Sequence, residues 1–173
     1  MILETPRLRL RHWRAADRDD FAALHSDPEV TADLGGPFNR TKSDKKLNRY
    51  IKAQTEQGYS RWVIETKDGD FLGYAGLMPV PGEHLLGLHT EIGWRLKRAA
   101  WGQGYASEAA RAALEDGFAR LGLTQILSYT AETNLRSQTV MSRIGMSRDN
   151  KKDFTAYYEG YGDWRGLVWS IGV

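Results

Sequence analysis

Gly102 and Gly104 stand one residue apart in "RAAWGQGYASEAARAAL" (Arg98 to Leu114), between a strand-like segment and a run of alanines. A helix begins with N–H groups that have no partner inside the helix. Together with the macrodipole they make an anion site. Side chains would keep a phosphate off this backbone, whereas glycine opens it and permits unusual φ angles. The stretch Trp101, Gly102, Gln103, Gly104, Tyr105, Ala106 and Ser107 is therefore read either as a phosphate cradle or as a tight turn without a ligand. It is not a Walker loop, because no Gly-Lys-Ser/Thr follows. It is not a dinucleotide fingerprint, because Ser107 stands where the third glycine belongs and no acid lies near Thr124, about 20 positions on.

A second set of residues can move protons. Glu91 lies on the strand that leads into the glycine turn, and His89, two residues earlier, points to the same face. A carboxylate there can act as a base, directly or through a water, with an effect of roughly 10²–10⁴-fold. It can equally pair with an arginine or bind substrate. His89 reads as an exposed strand residue and Tyr129 as packing. In "NLRSQTVMSRIGM", Asn134 suits a helix N-cap and the Ser137 hydroxyl can bond to the helix start or donate a proton. No Asp/His cluster has metal-ligand spacing, so no metal is expected.

These groups need elements to position them. "LRLRHW" alternates Leu8 and Leu10 with Arg9 and Arg11, the period of a half-buried strand. Its arginines and Trp13 read as the solvated face of an edge strand rather than as an RNA contact. In "DRDDFAALHSDP", Asp17 is expected to cap a helix, Phe21 and Leu24 to face inward, and Pro28 to mark the end. "TKSDKKLNRYIKAQTEQG" is a second amphipathic helix, with Leu47, Tyr50, Ile51 and Gln54 on one face and Gly58 as its stop. "SRWVIETKDGDFLGYAGLMPV" gives two strands around Asp68-Gly69, a hairpin signal, and "HTEIGWRL" gives another. Beyond the glycines, Ala106, Ala110, Ala113, Leu114, Gly117 and Phe118 recur at helical spacing, a small-residue face that can lie close on a sheet. Arg111–Glu115 and Asp116–Arg120 are spaced to pair on the outer face. "QILSYTA" is a strand, "NLRSQTVMSRIGM" a short helix stopped by Gly145, and "TAYYEGYGDWRGLVWSIG" two last strands. The order β-α-α-β-β-β-α-β-α-β-β predicts an α/β (α+β) domain over residues 1–173, a mixed sheet with helices packed on it.

Composition narrows the function classes. The 173 residues suit one domain. The absence of cysteine excludes a disulfide framework, a zinc-thiolate site and a cysteine nucleophile, and suits a reducing cytosol. The N-terminus lacks the order of a signal peptide, and no run approaches the roughly 18 apolar residues of a membrane span. A cytoplasmic protein without a membrane partner is expected. The net charge of +2, from 24 basic and 22 acidic residues, is too balanced to point to a nucleic acid.

"TEIGWRLKRAAWGQGYASEAARAAL", followed by "NLRSQTVMSRIGM", resembles the GNAT superfamily of acyl-CoA-dependent N-acetyltransferases, most of all its ribosomal-protein N-terminal acetyltransferase branch. "LETPRLRLRHWRAADRDDFAALHSDPEV" and "FLGYAGLMPV" are similar to the same branch, so the likeness runs from Leu3 to Met146. The resemblance implies the GNAT fold: a mostly antiparallel twisted sheet of about six or seven strands, splayed between the fourth and fifth, with helices on both faces. It implies acetyl-CoA as cosubstrate, with its pyrophosphate on the N–H groups from Trp101 to Ser107. The pantetheine arm would lie between Glu91–Leu96 and Gln125–Ala131, bonding to free backbone of Ile92, Trp94 and Leu96. Asn134 and Ser137 match the family's Asn-x-x-Ser and would flank the thiol end, Asn134 orienting and Ser137 protonating the departing sulfur. The chain departs from the family at Ala99, where a glutamine or arginine is frequent, and at Arg98, where this branch often has proline. Lys97 or Arg98 is expected to reach the phosphates instead.

The activity implied is acetyl transfer to a primary amine with Glu91 as base. The acceptor would be a protein N-terminus or a small molecule such as a polyamine, amino acid or drug. It would be selected by "LGGPFNR", by the helix from Thr41 and by the tail near Tyr157–Trp164. Two other readings stand beside this one: a non-catalytic acyl-CoA sensor on the same fold, and an RNA- or ribosome-associated binding module. The chain would work as a monomer or a homodimer.

Overall fold

The computed structural model describes residues 1–158 and 162–173. Its strands are β1 (Ile2–Glu4), β2 (Leu8–Arg11), β3 (Arg61–Thr66), β4 (Phe71–Val80), β5 (His89–Leu96), β6 (Gln125–Ala131), β7 (Ser147–Arg148), β8 (Phe154–Tyr158) and β9 (Gly162–Gly172). The helices are α1 (Arg18–Ser26), α2 (Arg40–Gln57), α3 (Tyr105–Ala119) and α4 (Leu135–Arg143). One nine-stranded sheet runs in the order β1-β2-β3-β4-β5-β6-β9-β7, with β8 paired to β9. Every ladder is antiparallel except that between β5 and β6. The larger strand count than expected comes from β1 and β7, of three and two residues, which are too short to show an alternating pattern.

The expected hairpin at Asp68-Gly69 forms, with Gly69 at φ +96°, a conformation glycine adopts without a Cβ clash. The predicted stops also hold: α2 ends at Gly58 in the left-handed region, and α4 ends just before Gly145. Glu159, Gly160 and Tyr161, part of the segment expected to help select the acceptor, lie outside the described residues.

β4 carries the core on both its faces. Leu72, Ala75 and Leu77 meet the small-residue face of α3, while Tyr74 and Met78 meet Phe21 of α1 and Leu47 and Tyr50 of α2. Leu72 and Tyr74 share parity yet face opposite ways, because the β3–β4 register shifts between Ile64 and Glu65. Ala109, Ala110 and Ala113 of α3 are fully buried, and at Gly117 an added Cβ would come within 2.6 Å of Leu77. The absent side chains let α3 lie directly on the sheet.

Three local expectations are corrected. β2 is not an edge, since it pairs with β1 and β3, and Arg11 is buried rather than solvated. Its guanidinium binds Asp17 through two hydrogen bonds of 2.8 and 2.9 Å and Glu65 at 2.6 Å. Asp17 does not cap α1 with its side chain; its carboxylate accepts from the Arg14 N–H at 2.6 Å and from Arg11. A buried guanidinium draws in both available carboxylates, because its charge must be matched. Asp116–Arg120 forms as a two-bond pair at 2.6 Å, but Arg111 instead donates to the Arg143 carbonyl at 2.6 Å and so ties α3 to α4.

Burial alone would raise the Asp17 carboxyl, but the hydrogen bonds from Arg11 and the Arg14 N–H outweigh it and hold the group below its ordinary value. Its contribution to stability is therefore complete above roughly pH 4 and lost as the pH falls through its native pKa. We predict that R11M, which strands two buried carboxylates, lowers the unfolding free energy by about 3 kcal/mol in denaturant titrations at neutral pH, with a smaller loss in acid.

Candidate active site

The glycine turn links β5 to α3. Gly102 and Gly104 have φ of +76° and +80°, and Gly104 is the N-cap residue of α3. Among the described residues, the N–H groups from Gly102 to Ser107 have no backbone or side-chain acceptor. The Trp101 N–H, expected in the same row, instead closes a 3-10 turn on the Arg98 carbonyl at 3.0 Å. A side chain added at Gly102 would project into space with no atom within 4 Å. An open row of donors at a helix start, kept clear by missing side chains, fits a phosphate group.

The N-terminal segment steadies this mouth. Glu108, in the first turn of α3, accepts from Thr5 Oγ1 at 2.6 Å and from the Arg7 N–H at 2.9 Å, and pairs with the Arg7 guanidinium. Arg7 also donates to the Gln103 carbonyl at 2.9 Å and lies 4.6 Å from the centre of the Tyr105 ring.

Arg98 is directed elsewhere than expected: it binds Asp27 and Glu29, each at 2.7 Å. Lys97 and Arg98 are both outside the cleft lining. The cation beside Trp101 is Arg136 of α4, its guanidinium 3.7 Å from the ring centre. Arg136 and Arg143 share one face of α4 and line a cleft of about 610 Å³ with the start of α3 and the end of β5. Their seven-residue spacing is the sequence signal that would have found them.

β5 pairs with β4 along its whole length but meets β6 in register at one pair, Glu91 with Leu127. Beyond Glu91 the two strands part, as expected. The backbone in the gap is less open than expected, because the Ile92 carbonyl accepts from Ser128 Oγ and the Leu96 carbonyl from the Trp101 indole N–H, both at 2.9 Å. A carbonyl has a second lone pair, so each can still accept another bond. Trp94, between them, lines the gap.

A second cavity, of about 1060 Å³, lies around Glu91 and Tyr129. Trp94, Arg95, Asp33 and Ser137 line both spaces, so the two meet at the start of α4. Asn134 caps α4, its Oδ1 accepting from the Ser137 N–H at 3.2 Å, which fixes the backbone that carries Ser137. Glu91 accepts from Arg61 Nη2 at 2.8 Å, and Arg61 also donates to the Glu91 carbonyl at 3.0 Å and to the Gly76 carbonyl. A Cβ at Gly93 would sit 2.8 Å from the guanidinium, so glycine is what lets Arg61 reach the acid.

The arginine partner foreseen for Glu91 is thus present, while one edge of the carboxylate remains on the cavity. His89 is half-buried against His84 and Tyr129 rather than exposed. Burial and the neighbouring Glu91 push the Tyr129 hydroxyl up, so it stays protonated.

Residues 7–147 match the family described as "Acetyltransferase (GNAT) domain". The FsC-acetyl coenzyme A-N(2)-transacetylase of Aspergillus fumigatus is 32% identical over 152 residues, 84% of this chain and 64% of that one. An acetyltransferase (GNAT family) from Bacillus anthracis superposes with a TM-score of 0.81 at 26% identity, covering 99% of this chain and 98% of that one. The fold is shared with a ribosomal L7/L12 α-N-protein acetyltransferase crystallised with coenzyme A, at a TM-score of 0.75, 15% identity and coverage of 100% and 98%.

We predict that Gly104→Val, which places a branched side chain at φ +80°, weakens CoA binding by roughly 100-fold. Calorimetry reads the loss, and an unchanged far-UV spectrum shows that the fold persists.

Proposed function

The chain belongs to the GNAT acetyltransferase family and is an acetyl-CoA-dependent acyltransferase, and on that premise we propose that it acetylates a primary amine, with Glu91 as base. The amides from Gly102 to Ser107 would hold the pyrophosphate, with Arg136 supplying the cation that Ala99 lacks. Trp94, with Ile92 and Leu96, would line the pantetheine arm. The cosubstrate supplies an activated acetyl thioester.

An acceptor amine is mostly protonated near neutral pH, at a pKa of about 8 for an α-amine and about 10 for a lysine-like amine. It must lose a proton before it can attack. Glu91 is suited to take that proton, directly or through a water, because its position is fixed by Arg61 and its free edge faces the cavity. The Ser137 hydroxyl, on the boundary of the two spaces, would donate to the departing sulfur. Asn134 acts through Ser137 by capping α4, so it is a positioning residue. Holding both reactants at the junction supplies the remaining part of the acceleration.

The observation that carries this reading is the continuity of the amide-lined cleft with the Glu91 cavity at Trp94 and Ser137. It favours an enzyme over a sensor, which has no need of a second chamber opening at the thiol end. We predict that Glu91→Gln lowers kcat by about 100-fold in a thiol-release assay against an amine panel while the Kd for CoA stays within about twofold. Tight CoA binding with no thiol release from the wild-type chain would return the sensor reading.

A further inference from the structure

The charges that the described residues place around the larger cavity do not cancel. Arg61 is matched by Glu91 at 2.8 Å, and Arg95 by Asp33 through bonds of 2.8 and 2.9 Å. Among the described residues, that leaves Lys42, Lys46 and Arg49 on the same lining, against the single exposed acid Glu83. The three cations are spaced i, i+4, i+7 and so form one stripe of α2. Among the described residues, none of them has a carboxylate within 4.0 Å. The acids of α2 are engaged away from the stripe: Asp44 by Arg18 and Arg40, Glu56 by Lys52.

The stripe is also partly dry. Lys46 is half-buried, and its nearest partners are the rings of Phe38 and Tyr50, both 5.8 Å away, while Lys42 lies 4.0 Å from the centre of the Phe38 ring. Burial lowers the Lys46 ammonium from its ordinary value. Burial would raise the Tyr50 phenol, yet the field of Lys46, Arg61 and Arg49 brings it down. Lys42 and Arg49 are exposed, and grouping their charges beside a half-buried lysine is unfavourable unless a counter-charge arrives.

Resting on the acetyl-transfer reading above, we infer that the acceptor amine bears an anionic group, a carboxylate or a phosphate, which the Lys42–Lys46–Arg49 stripe of α2 holds inside the cavity. A polycation such as a polyamine would meet repulsion on this wall. The same positive field disfavours an ammonium near it and so helps the acceptor reach its neutral, nucleophilic form.

The test is acetyl transfer with matched pairs: 4-aminobutyrate against 4-aminobutanamide, phosphoethanolamine against ethanolamine, a peptide with acidic first residues against its amide counterpart, and spermidine. The carboxylate, phosphate and peptide pairs separate the sources of the anion. At least one anionic member is expected to exceed its neutral partner by about tenfold or more in kcat/KM. In K46Q/R49Q that preference should fall by about tenfold, through KM rather than kcat, with the Kd for CoA unchanged; K46R/R49K should keep most of it. Neutral amines or spermidine used as well as the anionic ones, or a preference untouched in K46Q/R49Q, would overturn the inference. If CoA binds tightly and no amine is acetylated, the acetyl-transfer reading falls. Calorimetric titration of the CoA-loaded chain with the same pairs then decides this inference by itself: absent or equal binding of the anionic members overturns it.

Discussion

Six consecutive backbone N–H groups, Gly102 to Ser107, reach the start of α3 without an acceptor among the described residues. Backbone donors left unpaired cost free energy unless water or a ligand meets them. Here they also carry the positive end of a fifteen-residue helix. Most of the surrounding architecture serves to keep this row open and aimed. Left-handed glycines turn the chain without side chains, and Glu108 fastens the first turn to Thr5 and Arg7. The alanine face of α3 sets the helix close on β4 and β5, so its start opens at the end of β5.

The sheet supplies the second half of the site by failing to close. β5 is fully laddered to β4, and only Glu91 keeps register with β6. That residue is also where Arg61 crosses from β3 to bind both its carboxylate and its carbonyl. The ion pair joins a buried guanidinium to a half-buried carboxylate, and such pairs contribute little net stability because desolvation offsets their attraction. Its value is placement: it fixes a carboxylate at the point where the strands separate. The hydrogen bonds from Ser128 and Trp101 satisfy two carbonyls that the separation would otherwise strand.

The cations of the site fall into two groups. Arg136 and Arg143 stand at the amide-lined cleft, and Lys42, Lys46 and Arg49 at the chamber beyond Trp94. Among the described residues, a near-neutral chain of net charge +2 thus gathers cations without carboxylate partners on the linings of both cavities. Other arginines of the chain are neutralised locally, as Arg98 is by Asp27 and Glu29 and Arg11 by Asp17 and Glu65. Which cations stay free is a property of the folded arrangement and is invisible to a charge count.

The sequence by itself determined the longer elements, the glycine turn and the family, because these are written in local signals, whereas the two- and three-residue strands β7 and β1 are not. Period-two alternation marks β2, small residues at helical spacing mark α3, and Asp68-Gly69 marks the β3–β4 hairpin. Glu91 could be singled out because its strand leads into the glycine turn, and Asn134 and Ser137 because they match a short motif, Asn-x-x-Ser. Only the tertiary structure decided which charges meet. Arg61 finds Glu91 across 30 positions, Arg98 turns to the end of α1, and Arg136 comes from α4 to Trp101. It also decided that β2 is interior, because three residues at Ile2–Glu4 cover its outer edge. Long side chains choose partners by proximity and burial, and both are set by strands and helices far apart in the chain.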